Sequence, residues 1–176
     1  THGRTVLDAF CYSGGFGLHA AKAGAVAVEG VDGSATALEL AAENANLNGL
    51  TNVSFIKADV FDHLDTLAGS GKKYGVVILD PPKFARSSSA IEEALRAYRR
   101  LHSFALRLLE PDGILVTCCC SGLITSDLLE GDLAQVSATE RRPVRLLERR
   151  GAAPDHPVAL SCPETSYLKC LIAHVA

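Results

Sequence analysis

Three adjacent cysteines, Cys118, Cys119 and Cys120, close the apolar run "LVTCCCSGL". A thiol can pack, ligate a metal or act as a nucleophile, and adjacency does not choose among these. Zinc fits poorly, because a strand sends neighbouring side chains to opposite faces and no C-x-x-C pair exists. That alternation puts Cys118 and Cys120 on one side and Cys119 on the other, if the strand continues so far. Packing is an adequate reading for Cys118 and Cys119. The second chemical signal is "LDPPKF", where Asp80 is followed by two prolines that remove two backbone donors. Such a segment offers a rigid ledge: the carboxyl can meet the edge of a flat heterocycle, and Pro82 and Phe84 supply apolar surface. An ordinary rigid turn is the plain alternative.

Further polar residues sit where strand-like runs end. In "LDAFCYSGGFGLHA", Gly14, Gly15 and Gly17 allow a tight turn and close approach of a ligand. Read literally, "GFGLHA" also fits the dinucleotide fingerprint, which keeps an NAD-dependent dehydrogenase in view. Asp32 in "GVDGS" suits ribose hydroxyls, whether of NAD or of S-adenosylmethionine. Asp59 in "IKADVF" can accept from an adenine amino group with Val60 beside the ring, or simply cap the next helix.

These residues need strands to carry them. "RTVLDAF", "AVAVEGVD", "VSFIKAD", "YGVVILD" and "GILVTCC" read as strands. Between them lie helical patterns: "FGLHAAKAG" closed by Gly24, then "SATALELAAENANLNG" with Ser34 as N-cap and Gly49 as its stop. A short helix is expected near 60–68, a long amphipathic one over about 90–109 ending at "EPDG", and another from about Ser126. Strand–helix alternation implies a mostly parallel sheet covered on both faces, with ligands beyond the carboxyl ends of the strands. "VRLLERR" and "YLKCLIAHV", without a helix between them, imply an antiparallel pair at one side.

Composition narrows the classes. The 176 residues, 48% of them hydrophobic, suit one domain over residues 1–176 with a full-sized core. A net charge of −3 is not the footprint of a module that holds nucleic acid by its backbone alone. Five arginines between Arg141 and Arg150 read as a solvated surface. No apolar run approaches the ~20 residues of a membrane span. Six cysteines in so apolar a chain suggest a reduced, cytosolic protein rather than a disulfide framework. Cys162 is read as packing, and His102 as a plain core or surface histidine.

The succession "VLDAFCYSGGFGLHAA", "GVDGS", "AAENANLNGL", "IKADVF", "VVILDPPKFA", "VTCCCSGL" and "DHPVALSCPETSYLK" resembles the large-subunit ribosomal RNA cytosine-5 methyltransferases. The resemblance runs the length of the chain. It implies an α/β, Rossmann-like class I methyltransferase fold: a seven-stranded, mostly parallel sheet with an antiparallel last strand and helices on both faces. The family's usual amino-terminal RNA-binding (PUA) domain has no counterpart in these residues. S-adenosylmethionine is the implied cofactor. Its loop falls on Asp8, Phe10, Cys11, Ser13, Gly14, Gly15 and Phe16, with Asp32 and Ser34 for the ribose and Asp59 and Val60 for adenine. The acidic, proline-rich motif falls on Asp80, Pro81, Pro82, Lys83 and Phe84, on the substrate side. The family's catalytic cysteine lies in a Ser-Cys-Ser-Gly string, which here puts Cys120 at the cysteine and Cys119 at the first serine. Large-subunit rRNA is the implied partner, with no metal and no membrane; a homodimer is left open.

The chemistry fits those residues. Cytosine C5 is a weak nucleophile until a thiolate adds to C6. Cys120 would supply the thiolate, and Asp80, protonated or sharing a proton in a dry pocket, would stabilise N3. The Cys120 thiol is expected to be lowered by surroundings such as the amino terminus of the next helix. His102 and Lys83 are available as bases for the C5 proton. The rivals are an N-methyltransferase acting on guanine or adenine, the dehydrogenase, and a non-catalytic RNA-binding module.

Overall fold

In the computed structural model, which describes Thr1–Ala176, the alternating apolar runs become β1 (Thr5–Ala9), α1 (Gly15–Lys22), β2 (Ala27–Asp32), α2 (Ala35–Leu47), β3 (Val53–Lys57), α3 (Val60–Ser70) and β4 (Tyr74–Leu79). There follow α4 (Ile91–Leu108), β5 (Leu109–Cys119), α5 (Ser126–Glu140), β6 (Val144–Arg150) and β7 (Lys169–Val175). The strands form one seven-stranded sheet in the order β3-β2-β1-β4-β5-β7-β6. β1 to β5 pair in parallel, and β7 runs antiparallel to both β5 and β6. The carboxyl ends of β1, β2, β4 and β5 therefore share one edge of the sheet, with the reversal of strand order between β1 and β4.

Period-2 alternation decides which side chains meet which helices. Leu7, Val77, Leu79 and Leu115 pack with α3, α4 and α5 through Leu64, Leu101, Phe104 and Leu133. Val6, Val28, Val76 and Ile78 point the other way, onto Ala20 and Ala21 of α1. Both faces of the parallel strands are thus apolar, which is why β4 is buried at every position. On the α1 side the cover is incomplete over β5 and β7. Ile114, Val116 and Ile172 there stay half-buried and line an open cavity of about 780 Å³.

Local capping follows the sequence. Ser34 Oγ accepts from the Ala37 amide at the start of α2, and Gly49 is left-handed at φ 64° just past its end. The expected stop at "EPDG" is different in the structure. β5 begins at Leu109, directly after α4, and Tyr74 pairs with Leu109 while Val76 pairs with Ile114. The extra residues form a bulge in which Asp112 takes φ 59°. Backbone pairing at the strand's first residue wins over the turn propensity of Pro-Asp-Gly.

The arginine run is engaged with the protein itself. Arg142 donates to the carbonyls of Leu106, Leu109, Glu110 and Ala176, while Arg149 pairs with Glu130 and Arg150 with Glu148. No helix is long and apolar enough to cross a membrane.

Candidate active site

The loop after β1 must turn back over the strand tips to start α1, and it does so through strained backbone. Phe10 and Tyr12 have φ of 63° and 47°, and Gly14 caps α1 at φ 85°. Positive φ at two aromatic residues costs energy, and such conformations cluster where a loop is shaped for a ligand. The fingerprint glycines have other roles. Gly15 and Gly17 lie inside α1, and a Cβ on Gly17 would stand 2.9 Å from Asp8 Oδ2 and 3.1 Å from Val28. Gly17 is there so that α1 can press against β1 and β2.

Three carboxylates converge at this edge. Asp32 is already oriented, accepting from the Tyr12 amide at 3.0 Å and the Ser34 amide at 2.8 Å. Asp8 is almost fully buried; one oxygen accepts from the Gly17 amide at 2.7 Å, and its other oxygen, Oδ1, has no partner. Burial pushes the Asp8 carboxyl up to about 7, opposed by the Gly17 hydrogen bond and helped by the nearby charges of Asp80 and Asp32. Burial likewise raises Asp80 above the ordinary carboxylate range. Clustered carboxyls with raised pKa values and an orphaned buried oxygen mark a candidate functional site.

A cavity of about 640 Å³ opens beside them. Of the residues singled out in the sequence, Phe10, Asp32, Asp59 and Val60 form one side, and Asp80, Pro81, Pro82 and Phe84 the other. Asp59 also caps α3, accepting from the Asp62 amide at 3.1 Å, so it does both things its sequence position allowed. Phe10, Phe61, Phe84 and Tyr98 pack in series with centroids 5.4–6.2 Å apart, forming an aromatic wall. Tyr12, Gly33, Ala58 and Phe61 line the cavity as well, and sequence reading did not assign the last three to it. Each is adjacent to a residue that was singled out; the missing signal is the loop geometry that turns them inward.

Other named residues lie elsewhere. Cys11 is buried under Gly30, its thiol pushed up to about 12 by burial and by Asp8 and Asp32. The Ser13 carbonyl accepts from Asn44 at 3.1 Å, and Gly15 lines a small separate cavity with it. Gly14 supplies the left-handed turn. Phe16 borders the larger cavity over β5 and β7, Ser34 is committed to capping α2, and Lys83 is exposed.

The cysteine run separates as a strand must. Cys119 is fully buried among Tyr98, Ile124 and Leu129. Cys118 is buried on the opposite face, level with Cys170 of β7. Cys120 falls just beyond β5, half-buried, in a turn held from both sides. The Ser121 hydroxyl, itself buried, donates to the Ala85 carbonyl at 3.1 Å and so ties this turn to the segment after Phe84. Lys169 Nζ donates to the Ser121 carbonyl at 2.6 Å. Cys120 is near enough to Asp80 to feel its charge.

Two expectations need correction. The Cys120 thiol is raised, not lowered: burial, Cys119 and Asp80 outweigh Lys83, and α5 begins only at Ser126, several residues away. Cys162 does not pack in the core; it is exposed in the loop between β6 and β7, and its thiol meets Glu164 at 3.4 Å. His102 is the core histidine that the sequence reading favoured, not a free base. It is fully buried, between Asp132 Oδ2 at 3.1 Å and Thr117 Oγ1 at 3.0 Å, joining α4, α5 and β5. No group of three or more His, Cys, Asp or Glu side chains is arranged to hold a metal ion.

Comparison with known proteins agrees with this geometry. The family model of S-adenosylmethionine-dependent methyltransferases matches residues 1–172. A relative from Shewanella denitrificans named ribosomal RNA large subunit methyltransferase I is 46% identical over 98% of this chain and 44% of its own length. One of the same name from Aeromonas hydrophila is 42% identical over the same shares. The chain thus spans less than half the length of these curated relatives. Among solved structures, SMU.776 in complex with SAH superposes with a TM-score of 0.86 over 99% of this chain and 46% of the other, at 24% identity.

Proposed function

This chain belongs to the S-adenosylmethionine-dependent methyltransferase family, and from that premise we propose that it methylates C5 of a cytosine in large-subunit ribosomal RNA through a covalent bond between Cys120 and C6. The names of its relatives support the RNA. The observation that carries the chemistry is the Ser121–Ala85 hydrogen bond, which fastens the Cys120 turn against the Asp80–Phe84 segment.

The residues present fit the cofactor. S-adenosylmethionine, when bound, supplies an electrophilic methyl group on a cationic sulfonium. The Asp32 carboxylate and the unpartnered Asp8 Oδ1 suit that charge and an ammonium group. Asp32 would take the ribose hydroxyls with lone pairs not used by Tyr12 and Ser34. Asp59, Val60, Phe10 and Phe61 would hold the adenine.

Asp80, raised by burial, keeps a proton more readily than an ordinary carboxyl and can donate it to cytosine N3 as Cys120 adds to C6. The raised Cys120 thiol fits a resting state in which the nucleophile stays protonated until a positive charge enters the site. Pro81, Pro82 and Phe84 would flank a base that has left its stack, and Lys83 stands outside for phosphate. Loss of the C5 proton and return of the N3 proton to Asp80 then allow Cys120 to leave C6 and restore the ring.

Trapping tests this reading. RNA carrying 5-fluorocytosine has no C5 proton to lose, so methylation should leave a denaturation-resistant protein–RNA adduct. The adduct should form with Cys119→Ala and fail with Cys120→Ala. An adduct that survives Cys120→Ala overturns the assignment.

A further inference from the structure

Cys118 and Cys170 stand directly opposite each other where β5 and β7 run antiparallel. Opposed residues on antiparallel strands share a face, with Cα atoms about 4.5–5.5 Å apart, within the range that a disulfide spans. None of the other cysteines has such a partner: Cys119 faces Lys169 across the pair, Cys120 lies past its end, Cys11 is beneath Gly30, and Cys162 is out on a loop. Vicinal pairing within the run is opposed by the strand, which sends Cys118 and Cys119 to different faces.

Access is unequal. Both line the open 780 Å³ cavity, but Cys118 is almost completely buried whereas Cys170 is half-buried. Arg150 lines the same cavity and favours negative charge on Cys170, while burial, Asp80 on the cavity wall and Glu148 oppose it. Interaction between the two thiols favours ionising Cys170 over Cys118. The more exposed sulfur is therefore also the more acidic one.

We propose that Cys118 and Cys170 are a reversible oxidation site, forming a cross-strand disulfide when the protein meets a hydroperoxide. The Cys170 thiolate attacks the terminal peroxide oxygen, forming an S–O bond as the O–O bond breaks, and the alkoxide leaves with a proton as the alcohol. Cys118 then attacks the Cys170 sulfur. An S–S bond forms, the S–O bond breaks, and hydroxide leaves with the Cys118 proton as water. Two thiols lose two electrons and the hydroperoxide gains them, and a dithiol reductant reverses the change.

Peptide mapping of the 176-residue chain after brief treatment with hydrogen peroxide tests this. Titratable thiols should fall by two from six, and tryptic residues 108–141 should be linked to 170–176. The link should disappear on dithiothreitol, persist in Cys119→Ala and Cys120→Ser, and be absent in Cys118→Ser and Cys170→Ser. Fragment ions of the wild-type linked peptide locate the bond even if Cys118→Ser does not fold. A bond mapped to Cys119 or Cys120, a link through Cys11 or Cys162, or sulfinic Cys170 without any link overturns the proposal.

Discussion

Charge decides the behaviour of single residues at this site. Asp8 is held at about 7 in the fold against 3.8 for a free carboxyl, so the folded state binds its proton more tightly than the unfolded state. Its contribution is complete below pH 3.8, declines as pH rises towards 7 and is then lost. The cost above pH 7 is up to about 4 kcal/mol. Asp8→Asn keeps an acceptor for Gly17, and thermal melts should show it gaining on wild type from pH 5 to pH 8. A constant difference across that range would contradict the buried-carboxylate account. Cys120 has the opposite sign of interest. Its raised thiol should make alkylation by iodoacetamide climb with pH past the ordinary thiol range, and S-adenosylmethionine should move the curve to lower pH more than S-adenosylhomocysteine, which lacks the positive charge. Competitive protection without any shift in the curve would count against electrostatic activation. The sequence made both residues visible through type and neighbours, but it misjudged Cys120, because a strand tip buried near a carboxylate is a three-dimensional fact.

At the level of elements, hydrophobic period and punctuation were enough to place every strand and helix. "YGVVILD" can only be a strand buried on both faces, and Ser34 and Gly49 bracket α2 as caps should. The bulge at Asp112 and the path of the exposed loop before β7 were not legible, since they depend on pairing between distant segments. The buried link between α4 and α5 was equally hidden. His102 and Asp132 are about thirty residues apart and meet only in the packed structure. Removing one partner leaves the other buried without compensation, so Asp132→Ala should cost about 3 kcal/mol in denaturant unfolding. Because neither residue lines the cavity, cofactor affinity should be unchanged; a tenfold loss of affinity would show that the pair shapes the site. Ser121→Ala should behave differently. Losing its bond to Ala85 costs about 1–2 kcal/mol, and methyl transfer should fall more than cofactor binding does.

For the whole molecule, ligand linkage and RNA chemistry are the tests. Saturation with S-adenosylmethionine at a hundred times its Kd should stabilise the fold by about 2.7 kcal/mol, raising Tm by roughly 5–10 °C for a chain of this size. With a net charge of −3 and Arg142, Arg149 and Arg150 engaged in internal contacts, the chain should bind bulk RNA weakly. Recognition would then rest on the flipped base and the Lys83 region rather than on the phosphate backbone. The central claim is that Cys120 carries methyl transfer to cytosine C5. It is tested most directly by incubating unmethylated large-subunit rRNA with labelled S-adenosylmethionine and identifying the product nucleoside by mass. Wild type and Cys119→Ala should yield 5-methylcytosine and Cys120→Ala none. A methylated guanine or adenine, or undiminished 5-methylcytosine from Cys120→Ala, would contradict it.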